Sequence, residues 1–281
     1  MDRIGVIGLG RMGTAIAQRM LAVGRQVTGW TRSNRPIPDI ETTPDLPSLV
    51  AQSDTLILSL YDDAAVADVL DQLLQLDLNG KLIIETSTVI PDLLKSRIDR
   101  ITAKGANAVD APISGGPELV LAGNCGVFIG GDDAAATRAQ QGLTPISGRI
   151  FHVGPLGTGL VMKVINNSMI QIYFAGLDDM MRLAKRAGLP FETAVRIVSG
   201  GPAGMPMVTD RIPKILGEDT SAGFTVAAVQ KDNVVFRNVM DSFDLTSAAL
   251  ETAEEKQKAA IAAGLGDCDP ATLISFAYED R

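Results

Sequence analysis

The sequence predicts an α/β protein in which an N-terminal doubly wound parallel sheet is followed by an all-α C-terminal domain, the two joined by a long helix. Three observations carry this. Through about residue 150, short apolar runs alternate with longer amphipathic segments, the pattern of strands separated by helices. From residue 159 to about 187 the period becomes helical, with few turn residues. Beyond that point each remaining periodic stretch is helical. At 281 residues the chain exceeds the usual single-domain size, so a division into residues 1–158 and 159–281 is expected.

Strands are expected at residues 4–7, 26–29, 55–60, 81–85, 106–109 and 126–129, with a further strand-like stretch at Ile150-Phe151-His152-Val153. An amphipathic run at 14–22 reads as the first helix. The long helix at 159–187 ends at Gly188-Leu189-Pro190, a C-terminal glycine followed by proline. Further helices are expected near 191–198, 226–242 and 245–263, separated by a Gly/Pro-rich loop at 199–206 and by 217–223. With no repeat or flexible linker to divide the chain, the long helix is the expected junction, and a cleft between the domains is the expected ligand site.

Hydrophobic residues make up 46% of the chain, charged residues 21% and aromatic residues 4%, so the core must rest on aliphatic side chains. The formal charge of −8 opposes nucleic acid or an anionic membrane surface as partner. The most membrane-like stretch, 160–174, is interrupted by Lys163, Asn166 and Asn167 and is too short to span a bilayer. Cys125 and Cys268 lie far apart without metal-ligand spacing, and the chain passes from Met1-Asp2-Arg3 straight into an apolar strand. A soluble, cytoplasmic protein without a leader peptide or metal is the expectation.

Gly8-Leu9-Gly10-Arg11-Met12-Gly13 stands between the first strand and the first helix. The first glycine permits a tight turn, the second lets the backbone approach a pyrophosphate, and the third allows close helix packing. A glycine-rich turn alone would be weak; in this setting it reads as the dinucleotide fingerprint of a Rossmann domain. An NAD site usually carries an acid about 20 residues on, at the end of the second strand. Here that position is followed by Thr31-Arg32-Ser33-Asn34-Arg35, which favours NADP(H), with Arg32 pairing the 2′-phosphate, over the alternative that Arg32 and Arg35 are solvated loop charges. Leu60 and Tyr61, where the third apolar run ends, and Thr88, beyond the fourth, are expected to border the cofactor. Asp62 and Asp63 read as helix-capping acids.

Asp110-Ala111-Pro112-Ile113-Ser114-Gly115-Gly116 follows an apolar strand and offers a hydroxyl and unobstructed backbone N–H groups suited to a carboxylate. Asp110 is expected to organise its own turn. Lys163 and Asn167, four residues apart, share one face of the long helix. Among Val161, Met162, Val164 and Ile165, Lys163 is a candidate acid/base group, although spacing alone favours a lysine that snorkels from a surface helix. His152, the one histidine, reads as structural.

Taken together, Gly8–Gly13, the 110–116 loop, the Gly157-Thr158-Gly159 turn with Lys163 and Asn167, and Lys231-Asp232 resemble the β-hydroxyacid dehydrogenase family over nearly the whole chain. The resemblance implies a small carboxylate substrate and a homodimer or homotetramer formed through the helical domain. It makes Lys163 the proton-transfer residue, has Asn167 orient the substrate and Ser114-Gly115-Gly116 hold its carboxylate, and lets Lys231 contact substrate or cofactor. Thr31-Arg32-Ser33 looks like the Asn-Arg-Ser/Thr signature of NADP-using members.

Some positions depart from the family pattern. Pro117-Glu118-Leu119-Val120-Leu121-Ala122 replaces small residues after the double glycine, Leu160 stands where glutamine is frequent, and Pro202-Ala203-Gly204-Met205 replaces a Gly-x-Ser-Trp segment. A bulkier acid would suit these changes, while Met205 and Met207 also suit core packing. The competing readings are an imine reductase, which Lys163 disfavours, and a non-catalytic NADPH-binding protein on the same fold. 6-Phosphogluconate dehydrogenase, with its longer helical region, does not fit this length.

Overall fold

The computed structural model describes residues 2–279. The chain divides into two compact units, Met1–Ile165 and Asn166–Arg281. The boundary expected at residue 158 coincides with the start of the long helix, and the division falls further along that helix, between residues 165 and 166.

In the first unit, strands β1 (Ile4–Ile7), β2 (Val27–Trp30), β3 (Thr55–Leu58), β4 (Leu82–Glu85), β5 (Asn107–Asp110), β6 (Ile113–Ser114), β7 (Gly126–Gly130) and β8 (Arg149–Gly154) form one sheet. Their order is β2-β1-β3-β4-β5-β7-β6, with β8 beside β7. Between them run α1 (Arg11–Ala22), α2 (Leu46–Gln52), α3 (Asp63–Leu73), α4 (Asp92–Lys95), α5 (Ile98–Ala103), α6 (Pro117–Ala122) and α7 (Asp133–Leu143). Successive strand residues face opposite sides, so one sequence feeds two cores. Ile4, Val6, Ile57, Ile84 and Val109 pack with Ile16 and Met20 on one side. Ile7, Leu56, Leu58, Ile83 and Ala108 pack with Leu49, Leu70 and Leu73 on the other.

The parallel arrangement expected from the sequence holds from β1 to β5. It then reverses: β7 runs antiparallel to β5 and to β6, and β8 is parallel to β7. An apolar run carries no direction, and the connection after β5 is taken up by the two-residue β6 and by α6, which turn the chain back. Boundaries moved for local reasons. β3 stops at Leu58, earlier than expected, and the Leu60 amide donates to the Ser87 hydroxyl at 2.8 Å. The first helix starts earlier, at Arg11, with Gly10 as its N-cap.

The second unit takes the rest of α8 (Thr158–Arg186), then α9 (Phe191–Gly200), α10 (Pro206–Thr209), α11 (Ile212–Ile215), α12 (Val226–Asp241), α13 (Ala248–Ala262) and α14 (Leu273–Tyr278). Phe174, Leu177, Met181 and Ala184 recur at helical spacing on α8 and pack against Val195, Val208, Ile215 and Ile274. Met205 packs against the same cluster, as the core reading of that methionine expects. A polar seam also holds this unit: Asn233 Nδ2 donates to Gln257 Oε1 at 2.6 Å, and Gln257 Nε2 to Gln171 Oε1 at 3.3 Å, all three buried. The helix expected from residue 245 starts at Ala248, where the Ser247 hydroxyl accepts from the Leu250 amide at 3.3 Å. The short α10, α11 and α14 lie below the length at which periodicity registers. No helix among the described residues is long and apolar enough to cross a membrane, and no cluster of possible metal ligands occurs among them.

Gly13 sets how closely α1 lies on β1, because a Cβ there would run into the Gly8 carbonyl and come within 3.3 Å of the Ser59 Cβ. Gly13→Ala should therefore lower stability by on the order of 2–4 kcal/mol, the scale of overpacking and backbone strain. Gly142→Ala in α7, where a Cβ meets open space, should leave stability unchanged or slightly raised. Thermal melts of the two variants check this.

Candidate active site

Because β1 to β4 run in one direction, the residues that follow them gather at one edge of the sheet. β1 and β3 are neighbours, but α1 after β1 packs on one face of the sheet and α3 after β3 on the other, and the crevice at such a switch point is where α/β sheets bind ligands. Gly8–Gly13, Thr31–Ser33, Leu60–Tyr61 and Thr88 all lie at this edge.

The glycine turn there has the shape a dinucleotide needs. Gly8 takes φ 94°, and a Cβ on it would strike the Ser59 carbonyl. Gly10, extended at the N-cap of α1, has no atom within 4 Å of where a Cβ would be. No side chain caps that end of α1, and no acid occupies its first turn. Free volume beside the first N–H groups of a 12-residue helix fits a pyrophosphate. Leu9 offers its backbone alone, since its side chain is 1% exposed and packs against Gly29. Its carbonyl accepts from Thr14 Oγ1 at 3.1 Å and from Arg35 at 2.8 Å. Arg35 is thus a strap from the loop after β2 to the glycine turn, and not simply a solvated charge. Met12 is partly buried against the core, whereas Arg11, Arg32 and Ser33 are exposed and Thr31 is half-buried. Tyr61 is exposed and Thr88 half-buried. Asp62 caps α3 through the Ala65 amide at 2.8 Å, as expected; Asp63 instead accepts from the Ile90 amide at 3.2 Å.

A second group forms around β6. Ser114 ends the strand, Gly115 takes φ 129°, and Gly116 precedes Pro117 at the start of α6. Lys163 reaches this loop from α8: its Nζ donates to the Ile113 carbonyl at 2.8 Å, and the residue is 7% exposed. A snorkelling surface lysine is therefore ruled out by burial. Asn167, one turn further on α8, accepts from Asn166 Nδ2 at 2.9 Å. Lys231, on α12, lies 3.3 Å from Asp232 Oδ1. Asn167 and Lys231, with their partners Asn166 and Asp232, belong to the second unit, and Ser114, Gly115, Gly116 and Lys163 to the first.

Two acids go beyond what the sequence signalled. Asp110 does not organise its own turn. It accepts from the Gly157 amide at 2.6 Å and the Leu160 amide at 2.7 Å, so it holds the N-terminus of α8. Gly130 and Gly159 are small for this reason, since a Cβ on either would crowd the Asp110 carboxylate. Burial pushes the Asp110 carboxyl up to about 6 against the pull of these N–H donors. Beside it in register, Glu85 is 1% exposed, and burial lifts its carboxyl to about 7, opposed by hydrogen bonding to Ser87 and reinforced by Asp110. Only pairing between positions far apart in sequence could have revealed either role. His152 is structural, with Nε2 2.9 Å from the Gly131 carbonyl and 3.1 Å from that of Gly154. Both cysteines are free thiols, and burial pushes Cys125 up to about 11.

Residues 3–154 match the family of the NAD binding domain of 6-phosphogluconate dehydrogenase. Residues 157–277 match the family described as NAD-binding of NADP-dependent 3-hydroxyisobutyrate dehydrogenase. The chain is 29% identical over 242 residues to mitochondrial 3-hydroxyisobutyrate dehydrogenase of Drosophila melanogaster, covering 82% of this chain and 75% of that one. It is 26% identical over 279 residues to glyoxylate/succinic semialdehyde reductase 1 of Arabidopsis thaliana, covering 96% of each. The solved 3-hydroxyisobutyrate dehydrogenase of Mycobacterium tuberculosis has the same fold, with a TM-score of 0.86, 24% identity and 98% of each chain covered. An imine reductase from Myxococcus stipitatus aligns at 0.61, with 22% identity and coverage of 98% and 99%.

A dinucleotide turn on a doubly wound sheet, followed by a helical unit of this type, defines an NAD(P)-dependent oxidoreductase. Within that class, the chain belongs to the β-hydroxyacid dehydrogenase family.

The buried Glu85 makes stability depend on pH. Its folded carboxyl holds a proton more tightly than the unfolded one, so its contribution is fully present below about pH 4.5 and lost as pH rises through about 7. Glu85→Gln, which keeps an acceptor for the Ser87 amide, should be more stable than the parent at pH 8 by on the order of 2 kcal/mol. The gain should shrink toward pH 5, as measured by thermal or denaturant unfolding at both values.

Proposed function

We propose that the chain transfers hydride between NADP(H) and a small 3-hydroxy acid or its semialdehyde or keto form, with Lys163 as general acid/base. The observation that carries this reading is the buried Lys163 amine, fixed by the Ile113 carbonyl at 2.8 Å beside the Ser114-Gly115-Gly116 loop. A lysine is costly to bury unless its proton or charge is used.

The nicotinamide cofactor, when bound, accepts or donates hydride at carbon. The protein's own part is proton transfer and positioning. In oxidation, unprotonated Lys163 Nζ takes the hydroxyl proton while the alcohol carbon releases hydride with its bonding electron pair, leaving a carbonyl. In reduction the protonated amine returns that proton to the carbonyl oxygen as hydride arrives. The Ile113 carbonyl orients the amine. The Ser114 hydroxyl and the backbone N–H groups of Gly115 and Gly116 hold the substrate carboxylate. Asn167 orients the substrate and Lys231 contacts substrate or cofactor, the roles of matching residues in the family.

On the cofactor side, Gly8 to Gly13 hold the pyrophosphate, with Leu60, Tyr61 and Thr88 alongside. Thr31, Arg32 and Ser33 select the 2′-phosphate. The absence of an acid after β2 supports NADP over NAD. Self-association as a dimer or tetramer belongs to the same reading and is supported by Met169, Met180 and Leu183, large apolar side chains exposed on one face of α8.

Two variants test the assignment. Lys163→Ala should lose about 100-fold or more in turnover while fluorescence titration still detects NADPH binding; turnover near the parent value refutes the role. Arg32→Ala should reduce the preference for NADPH over NADH by about 10-fold or more, the scale of a lost charged hydrogen bond. Arg35→Ala, by loosening the turn at Leu9, should weaken both cofactors. KM values for the two nucleotides separate these outcomes, and an unchanged preference in Arg32→Ala overturns the phosphate pairing.

A further inference from the structure

We infer that Glu118 determines substrate specificity, favouring hydroxy acids that carry a cationic nitrogen beside the carboxylate over those with the carboxylate alone. The inference rests on the reading of Ser114-Gly115-Gly116 as the carboxylate seat. Pro117 opens α6 directly after that loop, and Glu118 follows in its first turn. The side chain folds back onto the loop. A Cβ built on the buried Gly116 would collide with both carboxylate oxygens of Glu118 and lie 2.7 Å from Cδ. The carboxylate therefore fills the space that glycine leaves, next to the backbone assigned to a second carboxylate.

Among the described residues, the exposed Glu118 side chain makes no ion pair or hydrogen bond, so no direct partner neutralises it, and the Lys163 amine that reaches this loop is held by the Ile113 carbonyl. An acid in the first turn of a helix complements the helix dipole. That accounts for an acid at position 118, but α6 is only six residues long, and the dipole does not require the side chain to lie over Gly116. The charge has a direct consequence for the ligand. Two like charges about 5 Å apart in a partly solvated setting change affinity by about 4- to 10-fold. A plain hydroxy acid must bind against this repulsion or displace the side chain. A substrate with an ammonium group beside its carboxylate places a cation between two carboxylates, and the same residue then attracts it.

Two acids that differ only in the nitrogen, serine and 3-hydroxypropanoate, provide the test with the full chain and NADP+. The ratio of kcat/KM for serine to that for 3-hydroxypropanoate should fall by about 10-fold or more in Glu118→Gln and Glu118→Ala at low ionic strength, and by less in about 0.5 M salt. A merely structural role would move both acids together, so an unchanged ratio or a parallel shift overturns the inference. Should neither acid be turned over, calorimetric titration of each into the NADP+-loaded protein reads the same ratio. A shift there in Glu118→Gln supports the role of Glu118 while counting against the catalytic role of Lys163. No shift, or no binding of either acid, overturns the inference.

Discussion

The Asp110 carboxylate accepts the Gly157 and Leu160 amides, and through these two bonds the end of β5 fixes where a 29-residue helix begins. Lys163 follows Leu160 by three residues, so its position is inherited from that anchor. The Ile113 carbonyl then receives the amine from the strand that leads into the Ser114-Gly115-Gly116 loop. Moving Asp110 would move the helix start, and with it the lysine. The anchor carries an electrostatic cost, since burial raises the carboxyls of both Asp110 and Glu85. Backbone donors limit that cost at Asp110, where the Gly157 and Leu160 amides both point at the carboxylate, whereas Glu85 accepts from the Ser87 amide.

A second constraint is close approach. Gly8, Gly13, Gly130 and Gly159 all stand where any side chain would meet backbone or a carboxylate, and each brings two elements together at the working edge of the sheet. Gly10 differs, because the space beside it is open. Three of the fingerprint residues thus divide into two that pack the scaffold and one that leaves room. A lone motif match cannot make that distinction, but the geometry does.

Much of this was legible in the sequence because it is local. The fingerprint, the strand–helix alternation and the long helix are all encoded by spacing within a few dozen residues. The reversal at β7 was not, because direction depends on how residues 111–125 fold back. Asp110 was legible as a turn residue only, since its partners lie 47 and 50 positions away. Lys163 shows the limit most clearly. Its apolar neighbours suggested burial, yet spacing favoured a surface position, and only the pairing of α8 with β6 decides between them. The polar seam of Gln171, Asn233 and Gln257 was likewise invisible, because amides at those positions read as exposed helix residues until three helices meet.

The Arg35 strap has a consequence for redesign. Its guanidinium joins the loop that would discriminate the ribose to the turn that would seat the pyrophosphate. The two ends of the nucleotide site are therefore mechanically linked and cannot be exchanged as independent modules. Grafting a foreign loop after β2 to change coenzyme choice would also remove a support of the glycine turn, unless the incoming segment brings its own donor for the Leu9 carbonyl.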